Sequence, residues 1–139
     1  MATLKYRSVF RSYPLGNDLK MAEIVSLGLP SALLRHVALA FGVKPSGMAP
    51  VVNISEKTIL RRLGAKGKLK PDESERVARL MRVFVRASEV LESDDKARGW
   101  LLRPLGVLGG RTPLSLVASE QGAREVEQVL GRLENGVFA

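Results

Sequence analysis

The sequence predicts an all-α fold, with a helix-turn-helix amino-terminal half joined by a long helix to a small helical carboxy-terminal half. Three observations lead there. Apolar residues recur at spacings of three and four, most clearly through Val77, Leu80, Met81, Phe84, Ala87, Ser88 and Leu91. Cap and stop residues punctuate the chain: Asn17 or Asp18, Gly28, Ser55, Ser93, Thr112-Pro113 and Asn135-Gly136. Between Val51 and Leu63, a short helix, a tight turn and a capped basic helix follow one another, the arrangement that places side chains in a DNA groove.

Taken in order, residues 1–16 show weak alternation (Leu4, Tyr6, Ser8, Phe10) before Tyr13-Pro14-Leu15-Gly16, and read as an amino-terminal arm. A helix capped by Asn17 or Asp18 runs to Leu27 and stops at Gly28. Pro30 opens the next, whose apolar face is Leu33, Leu34, Val37, Ala38 and Phe41; His36 beside it reads as a packing or surface residue. The helix-turn-helix begins near Ser46. Asn53 holds the position that tolerates left-handed backbone, Ala49 four residues earlier is small, and Ser55 caps the second helix. With Ile54 and Ile59 inward, Lys57 and Arg61 share the outer face. Pro50 breaks the usual pattern, because it lacks an amide donor and shortens or kinks the first helix of the motif. The DNA-facing set is Ser55, Glu56, Lys57, Thr58, Arg61 and Arg62, joined by Lys66 and Lys68 from a flexible basic loop. An ordinary helical hairpin in a basic protein is the alternative.

Pro71 to about Glu92 forms the long helix, with Asp72, Glu73 and Glu75 near its positive end. At about 20 residues it is about 30 Å long. Arg79, Arg82 and Arg86 on its polar side are solvated or paired with Glu75 and Glu89. Ser93 caps a short helix burying Ala97, Trp100 and Leu101, with Asp94 and Asp95 as first-turn charges. Leu105 to Gly110 is a turn, Thr112-Pro113 starts another helix, and Ala123, Val126, Leu130 and Leu133 mark the last, which ends at Asn135-Gly136. This gives an arm over 1–16, a helix-turn-helix unit over 17–70 and a second unit over 71–139.

Composition agrees. At 139 residues and 45% hydrophobic content the chain folds without staples. Residues 1–70 hold 12 Lys and Arg against 3 Asp and Glu, and residues 71–139 hold 10 against 11, so the halves carry +9 and −1. A basic half meets a polyanion; a near-neutral half meets protein. No cysteine and a single histidine exclude disulfides, thiolate metal sites and histidine metal clusters. No early apolar run has the length of a signal peptide or membrane span, so a cytoplasmic protein is expected. Gly42 and Gly47 have Walker-like spacing, but Met48-Ala49 stands where Lys and Ser or Thr would be needed. Leu108-Gly109-Gly110-Arg111 lacks a dinucleotide fingerprint, and the carboxylates read as helix-end charges. No catalytic residue, metal or cofactor is expected.

Two stretches carry a family resemblance: Lys70-Pro71-Asp72-Glu73-Ser74-Glu75-Arg76-Val77-Ala78-Arg79-Leu80, and then Trp100-Leu101, Arg103-Pro104, Leu108-Gly109-Gly110-Arg111-Thr112-Pro113-Leu114, Gly122-Ala123-Arg124-Glu125-Val126 and Leu130-Gly131-Arg132-Leu133-Glu134. Over about residues 28–139 the chain resembles the Xre/MbcA/ParS antitoxins, whose partner toxins carry the RES domain. The resemblance implies an antitoxin that represses its own operon, as a homodimer on operator DNA, and blocks a toxin that consumes NAD or modifies a protein with it. NAD would belong to the toxin. It places the toxin-facing surface in the carboxy-terminal half, with Arg111, Arg132, Glu134, Asn135, Val137 and Phe138 as the contact set and the tail reaching into the toxin's cleft. Three alternatives stay open. The Gly-Gly-Arg-Thr-Pro turn supports the fold and the tail packs on its own domain; the protein inhibits without reading DNA; or it is a plain repressor.

Overall fold

The computed structural model describes residues 5–136, and every regular element among them is helical. In chain order they are α1 (Lys5–Phe10), α2 (Asp18–Leu27), α3 (Leu33–Phe41), a 3-10 turn (Pro45–Met48), α4 (Ala49–Val52), α5 (Glu56–Gly64), α6 (Pro71–Leu91), α7 (Asp94–Leu101), a second 3-10 turn (Gly106–Leu108), α8 (Pro113–Leu116) and α9 (Glu120–Glu134). Asn17, Ser55, Ser93 and Thr112 cap as expected and Ser119 caps α9 besides, each accepting a backbone N–H from three residues on, and Gly28 and Gly42 close α2 and α3 with positive φ.

At the centre lies α6. Its stripe of Val77, Leu80, Met81, Phe84, Ala87 and Ser88 is buried, and it packs on α1, α2, α3, α4, α7 and α9. A single apolar cluster runs from Phe10 through Leu34, Ile59 and Phe84 to Leu130, so the two halves share one core.

Two expectations change here. The amino-terminal segment is no free arm. Phe10 is fully buried, edge-on to Phe84 with ring centroids 5.8 Å apart, and Phe84 in turn meets Phe41 at 5.5 Å. The start of α1 is capped from a distance: Asp94, 1% exposed, accepts the Tyr6 N–H at 2.7 Å, while the neighbouring Ser93 caps α7. Asp94 therefore serves α1 rather than acting as a simple first-turn charge of its own helix. The basic loop after α5 is equally restrained. Ser31 N–H donates to Gly67 O at 2.9 Å, Leu69 N–H to Leu29 O at 2.8 Å, and Leu69 is buried. This strap runs antiparallel to Pro30, and Gly28 has no room for a Cβ because Leu69 O occupies that space.

The arginines of α6 bind across to α9 more than along their own helix. Arg79, with a side chain 8% exposed, does take Glu75 in a double hydrogen bond at 2.6 and 2.7 Å, but it also donates to Val117 O at 3.1 Å and lies 3.5 Å from Glu120. Arg82 pairs with Glu120 at 3.2 Å and Glu127 at 2.9 Å, and Arg86 with Glu134 at 2.7 Å. Glu89 instead meets Arg11 at 3.6 Å. Burial alone would lower the Arg82 pKa, but the hydrogen bond and charge of Glu127 and the charge of Glu120 outweigh it and raise it above its ordinary value.

At the α8–α9 corner the Gly122 Cα faces the Leu116 carbonyl so closely that a Cβ would collide with it, whereas a Cβ at Gly131 meets open space. Gly122→Ala is therefore expected to cost about 1–3 kcal/mol in chemical denaturation through overpacking. Gly131→Ala is expected to gain about 0.5–1 kcal/mol of helix stability. Equal effects of the two substitutions would contradict the tight corner.

Candidate functional site

The α4–α5 pair has the helix-turn-helix arrangement. Pro50 falls in the first turn of α4, where its missing N–H costs nothing, so the first helix of the motif is one α-helical turn entered from a 3-10 turn rather than a kinked long helix. Asn53 sits in the left-handed region at φ 53°, ψ 46° and turns the chain. Val51, Val52, Ile54 and Ile59 are buried beneath it. Ser55 Oγ accepts the Thr58 N–H at 3.1 Å and donates to Thr58 Oγ1 at 2.9 Å, which starts α5 and leaves the Thr58 O–H as a donor.

What remains outward on α5 is Glu56, Lys57, Leu60 and Arg61, all exposed. Lys57, Arg61, Lys66 and Lys68 have no carboxylate partner among the described residues. Arg62 departs from the expected set: its guanidinium pairs with the buried Glu73 at 3.0 Å, and Glu73 also takes the Lys70 N–H at 2.9 Å. It clamps α5 to the start of α6 instead of facing a ligand. Arg76 was missed from sequence. It donates to Val52 O at 3.3 Å, satisfying a carbonyl at the end of α4, and pairs with Asp72 at 3.5 Å. Lys66 and Lys68 lie on the strap, where Lys66 and Arg35 line a cavity of about 320 Å³ beside Pro30 and Leu63.

The second surface lies in the carboxy-terminal half of the chain. Gly109 and Gly110 have φ of 68° and 79°, which lets Gly110 N–H reach Leu105 O at 2.9 Å and Leu105 N–H reach Arg111 O at 3.1 Å. The glycines close a turn, and Arg111 projects from it exposed. Arg132 is half-buried in the last turn of α9, a favourable place for a cation at a helix end. Glu134 is held by Arg86 through hydrogen bonds of 2.7 and 3.0 Å, and Asn135 and Gly136 are exposed after it. Val137 and Phe138 lie outside the described residues. His36 is half-buried on α3. Among the described residues no helix is long and apolar enough to cross a membrane.

A short-helix, turn and capped helix with a free cationic face, set on a long helix that also carries a second helical unit, defines a helix-turn-helix protein with an appended helical module. Residues 21–82 match the antitoxin Xre-like helix-turn-helix domain, and residues 86–136 match the antitoxin Xre/MbcA/ParS C-terminal toxin-binding domain. The two matches meet inside α6. The chain is 32% identical to the antitoxin Xre of Photorhabdus laumondii over 128 residues, covering 91% of this chain and 86% of that one. It is 31% identical to the antitoxin Xre of Yersinia enterocolitica, covering 97% and 93%. A Sphingobium protein named Prs ADP-ribosylating antitoxin is 23% identical, covering 96% and 87%. The fold is shared with a chain of the M. tuberculosis MbcT-MbcA toxin-antitoxin complex at a TM-score of 0.59 and 22% identity, covering 78% of this chain and 96% of that chain. The protein belongs to the Xre/MbcA/ParS antitoxins: it is an antitoxin with a helix-turn-helix domain and a toxin-binding domain.

The Arg86 hydrogen bond, with the Arg86 charge adding to it and burial opposing, holds the Glu134 carboxyl below its ordinary value of 4.5. A depressed folded value means the contact contributes fully above 4.5 and is lost as pH falls through the lowered value. A carboxyl-detected NMR titration is expected to give Glu134 a midpoint below 4.5, and Arg86→Met is expected to return it to the ordinary range. A midpoint at or above 4.5 in the unmodified protein would remove the clasp from the solution structure.

Proposed function

We propose that this antitoxin neutralises a RES-domain toxin, one that consumes NAD or ADP-ribosylates a protein, through its carboxy-terminal half, and represses its own operon as a cytoplasmic homodimer bound to operator DNA. The observation that carries the DNA reading is the division of free charge. Lys57, Arg61, Lys66 and Lys68 stand unpaired around α5 and the strap, whereas Arg79, Arg82 and Arg86 are neutralised against α9. A single small reader binds weakly, so paired modules on a twofold operator are the natural form. The toxin-binding match over residues 86–136 supports the second half of the proposal, and the name of the Sphingobium relative supports ADP-ribosylation as the opposing chemistry. In this reading Arg111, Arg132, Asn135 and the tail through Phe138 meet the toxin, while Glu134 fixes the helix end that launches them. The second reading, inhibition without DNA reading, draws on the one-turn first helix of the motif.

A mobility shift on the protein's own promoter separates the two. Lys57→Ala and Arg61→Ala are each expected to lose about 1–3 kcal/mol if they touch bases, or to lower the salt slope by about 1 if they touch phosphate. Absence of a promoter-specific shift would leave inhibition alone, and a shift unchanged by both substitutions would move the DNA contact off the outer face of α5. For the toxin, deletion of residues 132–139 is expected to abolish rescue of cells expressing the adjacent toxin gene. Full protection by the truncated chain would place the toxin contact elsewhere.

A further inference from the structure

The outer face of α5 carries an anomaly. The helix is sharply two-sided, with Ile59 fully buried and Glu56, Lys57 and Arg61 in solvent, yet Leu60 lies on the charged side and is 61% exposed. It follows Lys57 by three residues and Glu56 by four, so all three share one face, with Arg61 alongside. One turn on, Gly64 occupies the same face, and a side chain built there would meet only open space. That face is therefore a leucine between Glu56 and Lys57, with a second unpaired cation, Arg61, beyond Lys57 and no bulk at its carboxy-terminal end.

We propose that Leu60 is a specificity-determining residue that packs on the 5-methyl group of a thymine in the major groove, between bases or phosphates reached by Lys57 and Arg61. The inference rests on the DNA reading above and names what the reading helix recognises. Of the groups the major-groove base edges display, the thymine methyl is the apolar one, and an apolar side chain is the partner it takes. Occupation by a second copy of this chain fits the face less well: a twofold contact through Leu60 sets Lys57 and Arg61 against their own copies, a like-charge arrangement with no carboxylate but Glu56 to offset it.

The test uses the full-length protein and its own promoter duplex, with thymines of the bound site replaced singly by uracil, which deletes the methyl and keeps the pairing. Burying one methyl corresponds to about fourfold in affinity, ~0.8 kcal/mol at 1.4 kcal/mol per tenfold. A single uracil at the contacted position of either half-site is expected to cost the unmodified protein about that factor. Leu60→Ala, with its thermal midpoint unchanged because the side chain is exposed, is expected to bind the thymine and uracil duplexes alike. Specific binding that ignores every uracil, or a thymine preference that survives Leu60→Ala, overturns the proposal while leaving DNA reading intact. Absence of any promoter-specific shift removes the DNA reading and this proposal with it. A change of oligomeric state on Leu60→Ala, seen by light scattering without DNA, assigns the residue to a protein interface and overturns it too.

Discussion

The α6 helix has to satisfy two kinds of neighbour at once, and the rest of the molecule is arranged around how it does so. Its apolar stripe is covered by α1, α2, α3, α4 and α7, and its arginine edge is covered by α9. The stripe supplies most of the stability, since burying side chains such as Leu80, Met81 and Phe84 is worth about 1.5–3 kcal/mol each. The arginine edge works differently. Arg82 and Arg86 are partly exposed, and pairs of that kind contribute little energy. Arg79 is nearly buried, so a guanidinium left without Glu75 and the Val117 carbonyl would be costly. The edge therefore selects how α9 lies on α6 more than it adds strength.

That selection also sorts the charge. From composition the amino-terminal half is basic and the carboxy-terminal half near neutral, but the neutral half still holds ten Lys and Arg. Folding cancels much of this locally, because Arg79, Arg82 and Arg86 face Glu75, Glu120, Glu127 and Glu134 at contact distance. The cations around α5 and the strap keep no carboxylate partner among the described residues and stay open to a polyanion. The field of such cations steers association and weakens with salt.

Much of this was legible from sequence where the cause is local. Caps at Asn17, Ser55, Ser93 and Thr112, the stripe of α6 and the left-handed Asn53 each depend on residues within one turn. The reader's outward Lys57 and Arg61 follow from the same local geometry. What escaped depends on partners distant in sequence. The Tyr6–Phe10 helix looked like an arm because its cap, Asp94, lies 88 residues on. Arg62 looked available because Glu73 reaches it only across the strap, and the strap looked loose because its bonds go to the backbone of Leu29 and Ser31. One distant signal was present to be read. Glu120, Glu127 and Glu134 repeat every seven residues, as do Arg79 and Arg86, the spacing at which two helices present facing rows.

The same helix limits how the two surfaces can influence one another. The Arg62–Glu73 clamp holds the reader near the start of α6, and the Arg86–Glu134 clasp holds the end of α9 near its finish. Between Glu73 and Arg86 there is no glycine or proline, hence no sequence cause for a kink, and the 13 residue steps between them span about 20 Å. That exceeds the screening length of about 8 Å at physiological salt more than twofold, so charge held at the Arg86–Glu134 end has little direct effect at α5. A stiff, continuous helix buried on one side is likewise a poor hinge. Under the proposed function, coupling between toxin binding and operator binding would then act through the placement of whole protomers, because spacing between two reading helices governs whether both half-sites are met together.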